Sequence, residues 1–540
     1  MFTVNKTTFL VRLVVLSVLV ICSISACGPS ASNEMQSDKK PEYGGALVYG
    51  KSGHPITLDP AQSGETESSV IIANIFDGLV EQIPGRVGIK PALAHSWDVS
   101  SDGKVYTFQL RQGIRFHDGT QLTASSVLFS FLRQKQGSAS ESVVFEDWKN
   151  FGMDRIVRSM EAVDDSTFRI TLHEPDATFL GLLTLNFMSV VSPESVSLTR
   201  QEFSKNPVGT GPFRFSYWDA DRVVLRSNKA YWAGPPYIDS LIFQTIPDVE
   251  TRWKMMLSGS LDIADAPPKN VIHRAYDTSK VKMVQSFGMN IAYLAMNLKR
   301  SFFKDENVRK AIAHAINREE IITAVYGDNG RIAKNPIPPQ VLGYNNNIPM
   351  TKYDPIAARK FMKTSGYPDG FRCTLWPIPI PREYMPNGQL AAELIKRDLS
   401  VIGIDVQIVV TEWKEFLERR KKGEYDMSIS GWIGDAPDPH FFFHPLLDKS
   451  VVEGNLSTNT SFYDSDAMHV LIDQGRKTLD TRSRAVIYNK ACELFNDDLP
   501  FIPLAHSIAY VPLSARVRNF QTYASSVRRF NNVWLSKAVK

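Results

Sequence analysis

The order of apolar and polar residues along the chain predicts alternating strands and helices. YTFQLRQGIRF (106–116) alternates as a half-buried strand does, and STFRITLH (166–173) repeats the alternation after the turn signal Asp164–Asp165. Between Glu306 and Tyr326 the period changes: Val308, Ala311, Ile312, Ala315 and Ile316 keep helical spacing, and Gly327 supplies a stop. Asp354 and Pro355 stand as cap and first-turn proline of another helix, running to Gly366. From residue 390 the pattern predicts a helix, then a strand through Ile404, Val406, Ile408 and Val410. A helix carrying Trp413, Phe416, Leu417 and Arg420 follows, then a strand with Met427 and Ile429. This is α/β architecture. Ligands in such sheets bind beyond the carboxyl ends of strands, and Trp432 and Asp435 lie just past one.

The N-terminal stretch departs from this pattern. Residues 1–26 hold Lys6 and Arg12, no acidic residue, and an apolar run from Leu13 to Ile21, which reads as an export signal. The run is too short for a membrane span. Ile24-Ser25-Ala26-Cys27 resembles the lipobox of bacterial lipoproteins. That resemblance implies that the leader (1–26) is removed and that Cys27 carries a lipid anchor, in the periplasm or at the cell exterior; an ordinary signal with an incidental cysteine is the alternative. Residues 27–44 then form the lipidated cysteine and a polar, flexible tether, and folded structure is expected from about Gly45.

With Cys22 in the leader and Cys27 at the anchor, only Cys373 and Cys492 remain of the four cysteines. They could pair in an oxidising compartment or stay as buried thiols, and no cysteine spacing suggests zinc. The formal charge is +4, and loss of Lys6 and Arg12 with the leader leaves +2. Basic residues are dispersed, which argues against a nucleic-acid partner. A length of 540 residues argues for more than one domain, and 43% hydrophobic composition supplies large cores.

Two motifs point elsewhere and fail on context. Gly45 to Ser52 satisfies G-x-x-x-x-G-K-S, the phosphate-cradling loop. Here a polar tether precedes it, ALVY itself reads as the strand, and Gly53-His54-Pro55 blocks the helix that must follow. His440 and His444 stand four apart, with Asp438 as a cap and Pro439 at the first helical position. A zinc-protease helix needs Glu after the first His, where Phe441 stands, and catalytic zinc usually takes three protein ligands. Packing is the better reading of the pair, with contact to haem the alternative. No G-x-S-x-G elbow is present. Metal, cofactor and enzyme readings are therefore not supported.

LAHSWDVSSDGKVYTFQLRQGIRFHDGTQLTASSVLFSF, NPVGTGPF, GMNIAYLAMNL, VRKAIAHAINREEII, TEWKEFLERRKKGEYD and SGWIGDAPDPHFFF occur in an order that resembles the extracellular solute-binding proteins of family 5, which serve peptide ABC importers. The resemblance runs from about Gly45 to the C-terminus and is nearest to the dipeptide-binding members. Ser125–Ser126 departs from it, since the family commonly has two acids there. The resemblance implies a two-lobed periplasmic-binding-protein fold with an extra domain, a hinge between the lobes, and a monomer that works with an ABC permease and its ATPase subunits. Domain I would be assembled from 45–76, 205–287 and 508–540, domain II from 77–204, and domain III from 288–507.

The resemblance also assigns a site. Asp435, three residues after Trp432, matches the aspartate that receives a peptide's free ammonium group, and Arg382 in IPREYMPN matches the arginine for the terminal carboxylate. The residues agree with this, because a short peptide is a zwitterion and a dry cleft needs one partner per charge. Trp413, Trp432 and Tyr384 would wall the side-chain pockets, and the loop containing Gly64 and Glu65 would supply backbone contacts. Oligopeptide binders tend to have an arginine three residues before the tryptophan; here it is Ile429, which favours a shorter ligand. Relatives of this fold that carry haem, glutathione, or longer or antimicrobial peptides give the alternative function.

Overall fold

The computed structural model describes residues 40–540 except 138–144, 197–199, 269–270, 272–278, 328, 454–457, 524, 526 and 538–540. The leader and Cys27 therefore lie outside the described residues. A large mixed sheet runs through the unit Glu42–Lys540. Its strands lie in the order 404–408, 371–376, 427–433, 290–296, 501–514, 263–264, 46–51, 240–245, 222–227, 213–218.

Phe501–Ser514 is the strand that joins the sheet's two halves. At 14 residues it is about 46 Å long at the usual rise per residue. Its first half pairs with Asn290–Met296 and Gly330–Ile332, and its second half, from Ile508, pairs with Val281–Phe287. The partner changes at Gly288–Met289, where a Cβ on Gly288 would lie 2.0 Å from Asn290 Nδ2. One half is parallel at Phe371–Trp376 and Ile404–Ile408, with helices Gly388–Ser400 and Trp413–Lys422 as crossovers. In the other half Ala46–Lys51 runs parallel to Ser240–Thr245, so Gly45–Ser52 contains a strand and no phosphate loop. Lys51 is buried and paired with Glu67 at 2.9 Å.

A separate antiparallel sheet has the order 94–99, 105–110, 167–172, 157–162. Its alternation is the one read from the sequence: Tyr106, Phe108 and Leu110 face inward with Phe168, Ile170 and Leu172. Helix Ala124–Gln136 packs on this layer, and Ser126 Oγ accepts from the Thr123 amide at 3.4 Å. Ser126 thus occupies the capping-box position that an acid would fill.

The apolar cores follow these divisions. One surrounds the 46–51 half of the sheet and includes Val533 and Leu535, a second lies under the separate sheet, and two more flank the 290–296 half. The predicted helix over Glu306–Tyr326 is divided: Glu306–Ala315 ends where Ile316 turns extended, and Asn317 caps a restart at Arg318 by accepting from the Glu320 amide. Asp354 caps Pro355–Thr364 as expected. Cys373 and Cys492 are free and buried, in different cores.

Candidate functional site

Strand Met427–Ile433 carries the site. Its period of two sends Met427 and Ile429 into one core and Trp432 toward the opposite one. Ile429 is therefore fully buried on the face away from Trp432. Trp432 Nε1 donates to the Phe441 carbonyl at 2.7 Å, and the Gly434 amide to Met289 at 2.7 Å. A Cβ on Gly434 would stand 2.4 Å from Phe442. These constraints fix the turn that projects Asp435.

The two acids of this turn have separate tasks. Asp438 accepts from the His440 amide at 2.9 Å and holds Arg484 in a two-point ion pair at 2.5 and 2.8 Å. Asp435 has no ion pair and no side-chain hydrogen-bond partner among the described residues. Its carboxyl reaches solvent, yet the surrounding protein, helped by the nearby Asp147 carboxylate, pushes its pKa up to about 6. Asp147 lies on helix Glu146–Asn150, and burial raises its pKa as well, with Glu146 adding to the effect. A Cβ built on Gly64 would be 3.8 Å from Asp147 Oδ1. Three distant segments thus converge at Asp435.

The cationic end begins with a tight loop in which Arg382 and Met385 exchange backbone hydrogen bonds at 3.1 and 3.0 Å. The exposed Arg382 guanidinium lies over the Trp413 ring, 4.6 Å from its centroid, without a carboxylate partner among the described residues. Tyr384 lies against the strand at Gly431, where a Cβ would come 2.1 Å from its ring. Its carbonyl accepts from the Tyr326 hydroxyl at 2.6 Å. Arg382, Trp413 and Tyr384 are thus brought together, and Gly431, which the Tyr384 ring abuts, stands one residue before Trp432 and four before Asp435. In the loop expected to supply backbone contacts, both Glu65 carboxylate oxygens accept from the Ser68 amide at 2.9 Å, so its side chain caps a helix.

Asp147, Glu383 and Arg528 were not found from the sequence. Glu383 accepts from Asn290 Nδ2 at 3.2 Å; burial raises its pKa, and Arg528 opposes the shift. Arg528 also bonds the Tyr49 hydroxyl and lies 3.9 Å from Asp265. It therefore links the 46–51 half of the sheet to the Arg382–Met385 loop. Elsewhere Phe441 meets Phe151 edge-on at 6.3 Å, and Arg476 pairs with Glu174 and, at 3.0 Å, with Asp176.

His440 and His444 stack at 5.0 Å. Burial holds the His440 pKa well below the ordinary imidazole value. His444 and His469 both approach Asp448 through Nδ1, at 3.2 and 2.8 Å. Among the described residues, no group of three or more His, Cys, Asp or Glu side chains is placed to hold a metal ion. Nor is any described helix long and apolar enough to cross a membrane.

Comparison with known proteins adds the following. Residues 88–453 match the family described as bacterial extracellular solute-binding proteins, family 5 Middle. Heme-binding protein A of Haemophilus influenzae is 34% identical over 517 residues, covering 92% of this chain and 94% of that protein. The dipeptide-binding protein of Escherichia coli is 33% identical over 505 residues, covering 90% and 94%. The structure is similar to that of the periplasmic binding protein DppA from Helicobacter pylori in complex with peptide STSA, with TM-score 0.78, 36% identity, and coverage of 92% and 99%.

Proposed function

The chain belongs to the bacterial extracellular solute-binding proteins of family 5 and is a binding protein, not an enzyme; within that family, we propose that it captures dipeptides or other short peptides in an interdomain cleft. It delivers them to the permease and ATPase subunits of an ABC importer. One observation carries this reading. Asp435 and Arg382, both without an ion-pair partner among the described residues, are carried at the same strand: Asp435 three residues past Trp432, and Arg382 over Trp413 in the loop whose Tyr384 abuts Gly431. A zwitterion with an apolar or aromatic side chain complements that arrangement. Gly64 contributes backbone beside the ammonium end, and Glu65 stabilises the loop that presents it.

Hinge motion is part of the proposal. In this reading domain I (45–76, 205–287, 508–540) joins domain III (288–507) near the point where Phe501–Ser514 changes partner, which would serve as the hinge, and domain II (77–204) adds Asp147. Closure around a ligand is the usual motion of such proteins. The protein works as a monomer, anchored at the membrane by lipid on Cys27. Changing Cys27 to serine should release it to the soluble fraction, and unchanged membrane retention would place the anchor elsewhere.

Ligand length follows from Asp435 and Arg382 acting as a fixed two-point ruler. Each added residue moves an extended peptide's carboxylate by about 3.3–3.6 Å, too far for one charge-assisted hydrogen bond to span. Leaving one buried charge without its partner costs about 2–5 kcal/mol, or roughly thirtyfold to several thousandfold in affinity. Calorimetry with di-, tri- and pentapeptides tests this: dipeptides with free termini should bind best, and equal affinities would reject the ruler. A second reading, haem as ligand, is favoured by the Haemophilus relative's name. Tight haem binding with no peptide binding would establish it instead.

A further inference from the structure

Helix Trp413–Lys422 ends in four consecutive bases, Arg419 to Lys422, and two neighbours among them differ. Arg419 is engaged: it pairs with Glu415 at 2.9 Å and Glu424 at 2.7 Å, and it lies over the Trp376 ring. Arg420 is half-buried and has no carboxylate within ion-pair distance among the described residues. Its Nε is buried without a hydrogen-bond partner there.

The helix repeat brings Arg420 onto the face of Trp413 and Phe416. Its guanidinium lies over Phe416 at 5.5 Å, Phe416 stacks on Trp413 at 5.9 Å, and Arg382 lies over Trp413 at 4.6 Å. Two cations therefore bracket one aromatic ladder, and the charges of both reach the Tyr384 hydroxyl. The other phenols near Arg420 are already used. Tyr293 shares a hydrogen bond with Thr460 Oγ1 at 3.1 Å, and Tyr425 donates to the Thr460 carbonyl. Ser430, opposite Tyr293 in the strand ladder, also keeps a buried Oγ without a partner among the described residues. A guanidinium offers five donors and no acceptor, so what this arrangement lacks is an anion.

We infer that Arg420 forms a second carboxylate position at the far end of the Trp413–Phe416 ladder from Arg382, so that the preferred ligands are short peptides whose C-terminal residue carries an acidic side chain. This rests on the peptide-binding reading above. Arg382 takes the main-chain carboxylate and Arg420 the side-chain one, with the Trp413–Phe416 ladder between the two cations and the Tyr384 hydroxyl within reach of both charges. The competing account is a solvated base that complements the negative end of its helix.

Calorimetry on the full chain with Ala-Glu, Ala-Gln, Ala-Ala and Ala-Ala-Ala decides between them. Wild type should bind Ala-Glu about tenfold or more tightly than Ala-Gln, the worth of one charge-assisted hydrogen bond. Arg420→Met should bring the Glu-to-Gln ratio close to one, and Arg420→Lys should leave it intermediate. Because the readout is a ratio, a general loss of affinity in the variants cancels. Should Arg420→Met fail to fold, the wild-type ratio and Arg420→Lys still decide. A wild-type ratio near one with Ala-Ala binding intact overturns the Arg420 assignment alone, whereas no binding of any of these peptides overturns the peptide-binding reading. If Ala-Ala-Ala depends on Arg420 as strongly as Ala-Glu does, Arg420 reads the terminus of a longer peptide and the side-chain assignment is wrong.

Discussion

Asp435→Asn keeps the shape of the side chain and removes its charge. Asp435 titrates at about 6, above the ordinary carboxylate value of 3.8, because of burial and the neighbouring Asp147. A carboxyl whose pKa rises on folding acts against the fold: the native state holds the proton longer than the unfolded state, so stability falls as pH climbs from about 4 to 6 and stays lowered above it. Fully shielded, such a shift would correspond to about 3 kcal/mol; with the group open to solvent, screening reduces it to about 1 kcal/mol. For a chain of this size that is on the order of 1 °C in melting temperature. The asparagine variant without ligand should therefore melt slightly higher than wild type at pH 7.5 and no differently at pH 4. Peptide binding gives a larger signal, because a free ammonium needs the ionised carboxylate. Wild-type affinity for a dipeptide should fall about tenfold between pH 7.5 and pH 5, and the variant should bind weakly with a nearly flat profile. Calorimetry across this range is the assay. A flat wild-type profile, or a variant that retains both the affinity and the pH dependence, would refute the assignment of the ammonium to Asp435.

Arg476→Ala should leave Asp176, which is 1% exposed, without its cation. The expected loss is about 3 kcal/mol, read as a lower denaturant midpoint; an unchanged midpoint would show that this clasp adds nothing. Gly431→Ala would set a methyl 2.1 Å from the Tyr384 ring and should displace it, weakening peptide binding by about 1–3 kcal/mol; unchanged binding would remove Tyr384 from the pocket wall. Burial pushes the thiols of Cys373 and Cys492 up to about 12. Neither should react quickly with an alkylating reagent at pH 8 until the protein unfolds, and fast labelling of the native protein would contradict their placement.

The parts of the fold visible in the sequence are those with a local cause. Alternation in YTFQLRQGIRF and STFRITLH, the Asp354 cap and the crossover helices around Trp413 all follow from short-range pattern; the structure has the second strand, the cap and the helices within a few residues, but the first strand stops at Leu110, six residues short of the expected end. The break at Ile316 also had a local signal, since Asn317 followed three residues later by Glu320 is a helix-start pattern. The role of Phe501–Ser514 had none: FIPLAHSIAYVPLS reads as one apolar run, and nothing in it reports that its halves pair with different partners. The site divides in the same way. Asp435 is marked by its place after a strand and a tryptophan, but Asp147 sits in EDW at the start of a short helix, where an acid is an ordinary cap. Its approach to Asp435 and Gly64 is made only by tertiary packing.

The most direct test is a crystal structure of the protein with a dipeptide such as Ala-Phe. The ammonium nitrogen should lie about 2.7–2.9 Å from an Asp435 carboxylate oxygen, and the terminal carboxylate should meet the Arg382 guanidinium at similar distance. Trp432, Tyr384 and Trp413 should enclose the side chains. A peptide bound in the reverse direction, or one that leaves Asp435 and Arg382 both facing water, would contradict the account.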